Sequence, residues 1–227
     1  SYDSPRRNGG LVVEEKTRLE KARSEKALLE KTRLKKIAEL RKNASLRGEP
    51  VLREASFALL LKIVKEKRPT RILEVGTNEG LSGAAMLSVS ESSRLTGIEI
   101  DEDKIKKAKE NYALLGVEKR AKIFWGDAGE VIPALTGEYD FIFLDGPKGH
   151  YHEYLPELLR VLKVGGTLFA DNVLFRGYVD GSVKTPHRFA TTKHGMENYL
   201  RAVTESENLK TEIYRIEDGV SVTEKIR

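Results

Sequence analysis

The sequence predicts an α/β fold: a doubly wound, mostly parallel sheet of about seven strands, the last antiparallel, with a helix ahead of it. Three observations predict it. Short apolar runs alternate with helical patterns from residue 51 onward. The runs Arg71 to Val75, Tyr139 to Leu144 and Gly166 to Ala170 read as parallel strands buried on both faces. Each run ends on chemistry, namely Glu74-Val-Gly76-x-x-x-Gly80, Asp145-x-x-Lys148 and Asp171-Asn172. Ligands of open α/β sheets bind outside the carboxyl ends of the strands, so these groups are expected to face one cleft.

A chain of 227 residues and 25.5 kDa is long enough for one main domain with a sizeable core. Cysteine is absent, which excludes disulfides and thiolate-bound zinc and suits a reducing compartment. No stretch approaches the roughly 18 apolar residues of a membrane span. The start, Ser1-Tyr-Asp-Ser-Pro-Arg-Arg-Asn8, lacks the apolar core of a signal peptide. A cytoplasmic protein without a membrane partner is expected.

The charge is uneven. Residues 1–42 hold 13 Lys/Arg against 7 Asp/Glu, whereas residues 43–227 hold 27 against 28. The basic excess thus belongs to an N-terminal extension, residues 1–44, and the main domain is expected over 45–227. From Val13 to Asn43 there is no Gly or Pro, and Glu15-Lys-Thr-Arg-Leu19 recurs as Glu30-Lys-Thr-Arg-Leu34. High helix propensity over this window predicts one long helix. Its thin stripe of Ala27, Leu34 and Ala38, flanked by Leu28, Ile37 and Leu40, is expected to dock the second half while the first half projects. Such a helix suits a solvated or dimer contact, or a contact to an RNA backbone.

The remaining elements follow in order. Val51 to Lys67 is amphipathic and stops before Pro69. The strand Arg71 to Val75 leads through a Gly-bearing turn to the helix Leu81 to Val89. Arg94 to Ile98 reads as a strand ending at Glu99, and Asp103 to Leu115 as a helix ended by Gly116. Ala121 to Trp125 is a third strand, with Phe124 and Trp125 expected in the core. It ends at Gly126-Asp127-Ala128 and a short helix halted near Pro133. Tyr139 to Leu144, the helix Tyr151 to Leu162 and the Gly165-Gly166 turn bring the chain to its fifth strand. A long irregular insertion is expected from Phe175 to Gly195. The end of a helix follows, then strands Lys210 to Ile216 and Val220 to Glu224, paired antiparallel through Glu217-Asp-Gly219.

The turn after the first strand lets a ligand approach the backbone, but it is not Gly-x-Gly-x-x-Gly, and Glu79 in its middle disfavours diphosphate. Glu99, at the end of the second strand, can take both hydroxyls of a ribose. Asp127 can accept from an exocyclic amine. Ribose and adenine without diphosphate point to an adenosyl sulfonium. Asp145, Asp171 and Asn172 offer hard oxygen ligands suited to Mg²⁺, and Lys148 beside that charge suits a proton acceptor. His150 and His152 are too close in sequence to share a helix face as a zinc pair. Arg176, Arg188 and Lys193 in the insertion can meet phosphates flanking a target nucleotide.

Together Glu74-Val-Gly-Thr-Asn-Glu-Gly-Leu-Ser82, Gly97-Ile-Glu-Ile100, Gly126-Asp-Ala128, Phe143-Leu-Asp-Gly-Pro-Lys148 and Ala170-Asp-Asn-Val173 resemble the cation-dependent O-methyltransferases, the group of catechol and caffeoyl-CoA methyltransferases. The resemblance covers roughly 45–227, and within that group the sequence looks most like the bacterial tRNA 5-hydroxyuridine methyltransferases. It implies a class I methyltransferase fold, with S-adenosylmethionine at Val51, Gly76, Ser82, Glu99, Asp127 and Ala128. Glu74, Thr77, Gly80 and Asp145 lie in the same motifs and are expected to contact the cofactor too. It implies Mg²⁺ or Mn²⁺ on Asp145, Asp171 and Asn172, Lys148 as the base, and a homodimer. Gly146-Pro147 departs from the Ala-Ala usual in bacterial relatives. Three functions fit: methylation of 5-hydroxyuridine in tRNA, methylation of a small catechol or CoA-linked phenol, and non-catalytic nucleic-acid binding.

Overall fold

Each apolar run becomes a strand of one sheet. The computed structural model describes residues 8–227, so the signal-peptide reading at Ser1 to Arg7 lies outside the described residues. The strands are β1 (Arg71–Val75), β2 (Arg94–Glu99), β3 (Ala121–Trp125), β4 (Tyr139–Leu144), β5 (Leu162–Asp171), β6 (Leu209–Tyr214) and β7 (Val220–Lys225). They form a seven-stranded sheet in the order β3-β2-β1-β4-β5-β7-β6. All pairs are parallel except those of β7, which runs antiparallel to β5 and β6. The strand order reverses between β1 and β4, and such a switch point opens a crevice at the carboxyl ends of the strands.

Helices cover both faces: α1 (Asn8–Leu46), α2 (Glu54–Lys67), α3 (Leu81–Val89), α4 (Glu102–Leu115), α5 (Ala128–Ala134), α6 (Tyr151–Val161) and α7 (Ala190–Glu205). One core layer packs α5, α6 and α7 on the sheet around Tyr139, Tyr151, Leu158 and Tyr199. The other packs α1 to α4 around Leu60, Ile72, Met86 and Phe141. The start of α4 is fixed by Asp101, whose carboxylate accepts from the amides of Asp103 at 2.9 Å and Lys104 at 3.3 Å. No described helix is long and apolar enough to cross a membrane.

Four expectations are corrected. The long helix runs past both expected ends, and its docking face is not the expected stripe. Ile37 and Ala44 are buried and Leu34 and Leu40 partly so, while Ala27, Leu28 and Ala38 stay exposed. Arg41 lies in the middle of that face, only 4% exposed, because its guanidinium stacks 3.7 Å over Phe57 and bonds the Leu52 carbonyl and Glu54. Arg33 adds a second tie, donating to the carbonyls of Leu115 at 2.8 Å and Gly116 at 3.1 Å, where α4 ends. The first half of α1 projects as expected.

The third strand lies at the sheet edge, so Phe124 and Trp125 are 39% and 65% exposed instead of core. The fifth strand starts four residues early, at Leu162, because a register shift against β4 absorbs the Gly165-Gly166 turn inside the strand. The irregular insertion is shorter than expected, since α7 begins at Ala190 and takes in Lys193 and His194. Gly195 on α7 packs against the backbone of Gly149. A Cβ there would meet the Gly149 carbonyl oxygen, so the turn after β4 is held directly by α7.

Ile37 is fully buried between α1 and the domain. Ile37→Ala is expected to lower the free energy of unfolding by about 2–5 kcal/mol. Urea denaturation of both proteins measures the difference.

Candidate active site

The turn after β1 and the end of β4 touch. Gly76 has φ +93°, and a Cβ on it would lie 2.3 Å from the Asp145 carbonyl oxygen, so both the conformation and the space require glycine. The amides of Gly76 and Thr77 donate to the Ile98 carbonyl of β2 at 3.1 Å each, and the Asp145 amide donates to Val75 at 2.9 Å. Three strand ends are thereby fixed against one another.

A cleft opens above this junction. Val51, Gly76, Thr77, Ser82 and Asp145 all line it, together with Arg41, Glu49, Asn78 and Glu79. The structure therefore brings five of the residues expected to contact a cofactor onto one surface. Arg41, from α1, is a lining residue that the sequence gave no reason to place there. Glu79 does not face the cleft as a free charge: Arg47, just past α1, grips both its carboxylate oxygens at 2.8 and 2.7 Å.

Glu99 is held next to the cleft. One carboxylate oxygen accepts from the Asn78 amide at 2.7 Å, and the other from the amides of Ile100 at 3.0 Å and Asp101 at 3.1 Å. Each oxygen keeps lone pairs free, so a fixed carboxylate can still accept from a diol. Gly126 at the end of β3 donates to the Glu99 carbonyl, which brings Asp127 and Ala128 beside it. One Asp127 oxygen caps α5 through the Gly129 amide at 2.8 Å, and Ala128 opens that helix.

Gly80 and Glu74 are placed differently from the other turn residues. Gly80 begins α3 with φ +78°, packed against the ring of Tyr112. Glu74 lies beneath the turn, completely buried, with neither carboxyl oxygen hydrogen-bonded. Burial, with the Asp145 charge adding to it, pushes its carboxyl well above the usual range. Glu74 is thus a buried acid beneath the turn and not a lining group.

The acids of β4 and β5 meet on the neighbouring side of the junction. Burial and the charge of Asp171 push Asp145 up to about 8, against the opposing pull of Lys148. Burial pushes Asp171 up to about 6, although the Asn172 backbone and Lys148 counteract it and Asp218 and Glu217 reinforce it. The side-chain amide of Asn172 donates to Asp171 at 2.7 Å, which leaves its own carbonyl oxygen facing away from that bond. Asn172 is left-handed, with φ +61°. Among the described residues no three His, Asp or Glu side chains are placed to hold a metal ion. The donor set here is different: two carboxylates plus an amide oxygen. Lys148 is the one basic side chain that opposes the rise at both acids, and hard oxygens crowded in this way fit a hard divalent cation.

Lys148 sits on the turn clamped by α7, its Nζ 5.8 Å from the centre of the Phe175 ring. Phe175 packs edge-on against Tyr178 and Phe189. Arg176 and Arg188 stack on Phe189 at 5.5 and 4.8 Å, so two of the three basic residues expected at a substrate reach the neighbourhood of Lys148. The third, Lys193, is paired with Glu197 on α7 at 3.5 Å. Phe175 and Arg176 both have positive φ, +44° and +57°, a costly conformation for such residues that tends to mark functional sites. Sequence reasoning missed Phe175, and also Tyr151, whose hydroxyl donates to the Leu144 carbonyl at 3.3 Å beneath Asp145.

The chain resembles known proteins in sequence and fold. A Mycobacterium avium chain assigned as an O-methyltransferase is 29% identical over 187 residues, covering 81% of this chain and 82% of its own. A Staphylococcus aureus structure assigned as a caffeoyl-CoA O-methyltransferase superposes with a TM-score of 0.77 at 27% identity, covering 83% of this chain and 91% of that one. The O-methyltransferase TomG of Streptomyces achromogenes, solved in complex with S-adenosylmethionine, shares the fold with a TM-score of 0.75 at 20% identity, covering 84% and 89%. The O-methyltransferase family pattern itself matches residues 21–226, nearly the whole sequence, and the chain accordingly belongs to that family of S-adenosylmethionine-dependent enzymes.

Proposed function

We propose that the chain methylates the 5-hydroxyl of 5-hydroxyuridine in tRNA, using S-adenosylmethionine and a divalent cation, Mg²⁺ or Mn²⁺. The observation that carries the reading is the gathering of Asp145, Asp171, Asn172 and Lys148 beside the cleft at the β1/β4 switch point. When bound, S-adenosylmethionine supplies an electrophilic methyl group and the cation supplies charge that lowers the pKa of a neighbouring hydroxyl.

The chain's own residues do the rest. Asp145, Asp171 and the Asn172 carbonyl would hold the cation, and their oxygens suit an ion that keeps positions for water and substrate. Glu99, fixed by three backbone amides, would orient a ribose through its hydroxyls. The free oxygen of Asp127 would accept from an adenine amine. Val51, Gly76, Thr77 and Ser82 form the wall along which the cofactor would lie. Lys148 Nζ would take the proton from the acceptor hydroxyl, on a turn held rigid by Gly149 against Gly195. Alignment of acceptor and methyl is the main contribution of this fixed frame.

The 5-hydroxyl and 4-carbonyl of 5-hydroxyuridine form a two-oxygen chelate much like that of a catechol, so one site geometry serves either substrate. The basic extension and the exposed Arg176 and Arg188 favour the RNA. The second reading, a small catechol or CoA-linked phenol, is favoured by the resemblance to the caffeoyl-CoA methyltransferase structure of Staphylococcus aureus.

Three outcomes are expected. With radiolabelled S-adenosylmethionine and Mg²⁺, label should enter tRNA from cells lacking the enzyme; label entering only a catechol panel would refute the tRNA substrate. Asp171→Ala, or EDTA with the unaltered enzyme, should reduce turnover roughly a hundredfold or more, while calorimetry shows the cofactor still bound. The third concerns pH. With folded-state values raised to about 8 and about 6, Asp145 and Asp171 hold protons that the unfolded chain has lost, so the cation-free protein loses stability as pH rises. The cation needs both groups deprotonated. Added Mn²⁺ should therefore raise the unfolding temperature more at pH 8 than at pH 6, and a shift that is larger at pH 6, or unchanged in Asp171→Ala, would remove these two acids as ligands.

A further inference from the structure

A second concentration of charge lies at the opposite edge of the sheet. Arg71, Arg94, Lys119, Arg120 and Lys122 line one depression at the amino-terminal ends of β1, β2 and β3, and no acidic side chain lines it. Among the described residues none of the five meets a carboxylate at ion-pair distance. Residues 43–227 hold 27 basic against 28 acidic groups, so this cluster is local and not a share of a general excess. Glu91 lies close enough to Arg120 for their charges to interact and the Asp140 carboxylate accepts from the Arg71 backbone amide at 2.7 Å, but neither forms an ion pair with a side chain of the cluster, and like charges gathered with so little counter-charge cost stability.

Two of the five are held rigidly. The Arg120 guanidinium donates to the carbonyls of Leu87, Ser90 and Ser93, and Arg71 stacks over the Tyr139 ring at 4.6 Å. Arg94, Lys119 and Lys122 are exposed. Toward α1, Arg33 lies close enough to Arg120 for their charges to interact. In the other direction the depression reaches the edge strand β3. Lys122 and Phe124 share a face there, with Nζ 5.2 Å from the ring centre, and Trp125 sits opposite Glu99 at the cleft end. A charged edge strand resists unwanted strand pairing, which accounts for Lys122 alone. It does not account for the three arginines and the lysine beside it, or for the exposed Phe124 ring on the same face as Lys122. Free cations next to exposed aromatics suit a strand of phosphates and unstacked bases.

We propose that this band docks the body of an RNA, with phosphates on Arg71, Arg94, Lys119 and Lys122 and with Phe124, on the same face as Lys122, along the path to the cleft. The inference rests on the RNA-substrate reading above and gives that substrate a second, remote contact. Five residues of β3 span about 16 Å, a distance that a folded tRNA bridges and a small phenol does not.

The test is fluorescence anisotropy of the full chain with bulk tRNA at several salt concentrations, comparing it with Arg94→Glu/Lys119→Glu/Lys122→Glu. The triple variant should bind at least about tenfold more weakly near 0.1 M salt, and its salt slope should fall by about three. Its affinity for S-adenosylmethionine and its unfolding temperature should match the unaltered protein. If the triple variant does not fold, Lys119→Ala/Lys122→Ala should still lower the slope by about two. Unchanged tRNA affinity in a folded variant overturns the proposal. Displacement of tRNA by polyglutamate, charge for charge, also overturns it and assigns the band to an acidic protein. The substrate reading fails separately: if the unaltered protein binds tRNA through the band yet transfers no methyl to it, the band stands and 5-hydroxyuridine falls.

Discussion

The close approach of two strand ends governs this site. Gly76 presses its backbone on the carbonyl of Asp145, with no room for a side chain between them. That contact places the turn lining the cofactor cleft and the first carboxylate of the candidate metal set at one junction. It is possible only where β1 and β4 are neighbours, which is where the sheet changes direction. Hydrogen bonds from Gly76 and Thr77 to Ile98, and from Asp145 to Val75, then lock β2, β1 and β4 together. The proposed chemistry needs a methyl donor beside a cation, and this single backbone contact is what makes the two sites adjacent.

The N-terminal helix belongs to the same frame. Its second half and the residue just past its end tie down three parts of the domain: Arg33 holds the end of α4, Arg41 stacks on Phe57 and reaches Leu52, and Arg47 grips Glu79 in the turn after β1. Arg41 and Ala44 line the cleft itself. Exposed ion pairs contribute little to stability, so Lys26 with Glu91 and Lys36 with Glu39 are incidental. The Arg47 pair differs because Glu79 is largely buried and both its oxygens are engaged. It orients the turn and neutralises a carboxylate that would otherwise oppose Asp145 and Glu99 as a third negative charge facing the cleft.

Local chemistry was legible in the sequence, and whatever depends on neighbours distant in the chain was not. Glycines at a strand-to-helix turn and acids at strand ends carry their meaning within a few residues, so Gly76, Glu99, Asp145 and Asp171 could be placed without coordinates. Edge position is a property of strand order. Nothing in Ala121 to Trp125 says that no strand follows it in the sheet, and Phe124 and Trp125 were therefore assigned to the core. The docking face of α1 was misread for a related reason: a stripe drawn from apolar residues alone omits Arg41, whose burial depends on Phe57, Leu52 and Glu54 across the interface. Phe175 escaped because its left-handed backbone leaves no mark in residue type, and Glu74 because a strand pattern does not say which acid points under the turn.

The acids at this end of the sheet divide by environment. Glu74 is sealed beneath the turn, and burial pushes its carboxyl well above the usual range. Glu99 lies almost as deep but receives three backbone amides, which supply the stabilisation of a charged carboxylate that water would otherwise give. Asp145 and Asp171 fall between these cases. Burial raises both, the Asp171 charge raises Asp145 further and Asp218 and Glu217 raise Asp171, with Lys148 opposing the rise at each and the Asn172 backbone opposing it at Asp171. A pair in that position is poorly satisfied by the protein alone, and replacing its protons with a divalent ion relieves both the burial and the repulsion. One carboxyl is thus sealed in without a hydrogen-bond partner, one is held by three amides and two lie raised beside a lysine, and that division follows from what surrounds each carboxyl, since all four are the same functional group.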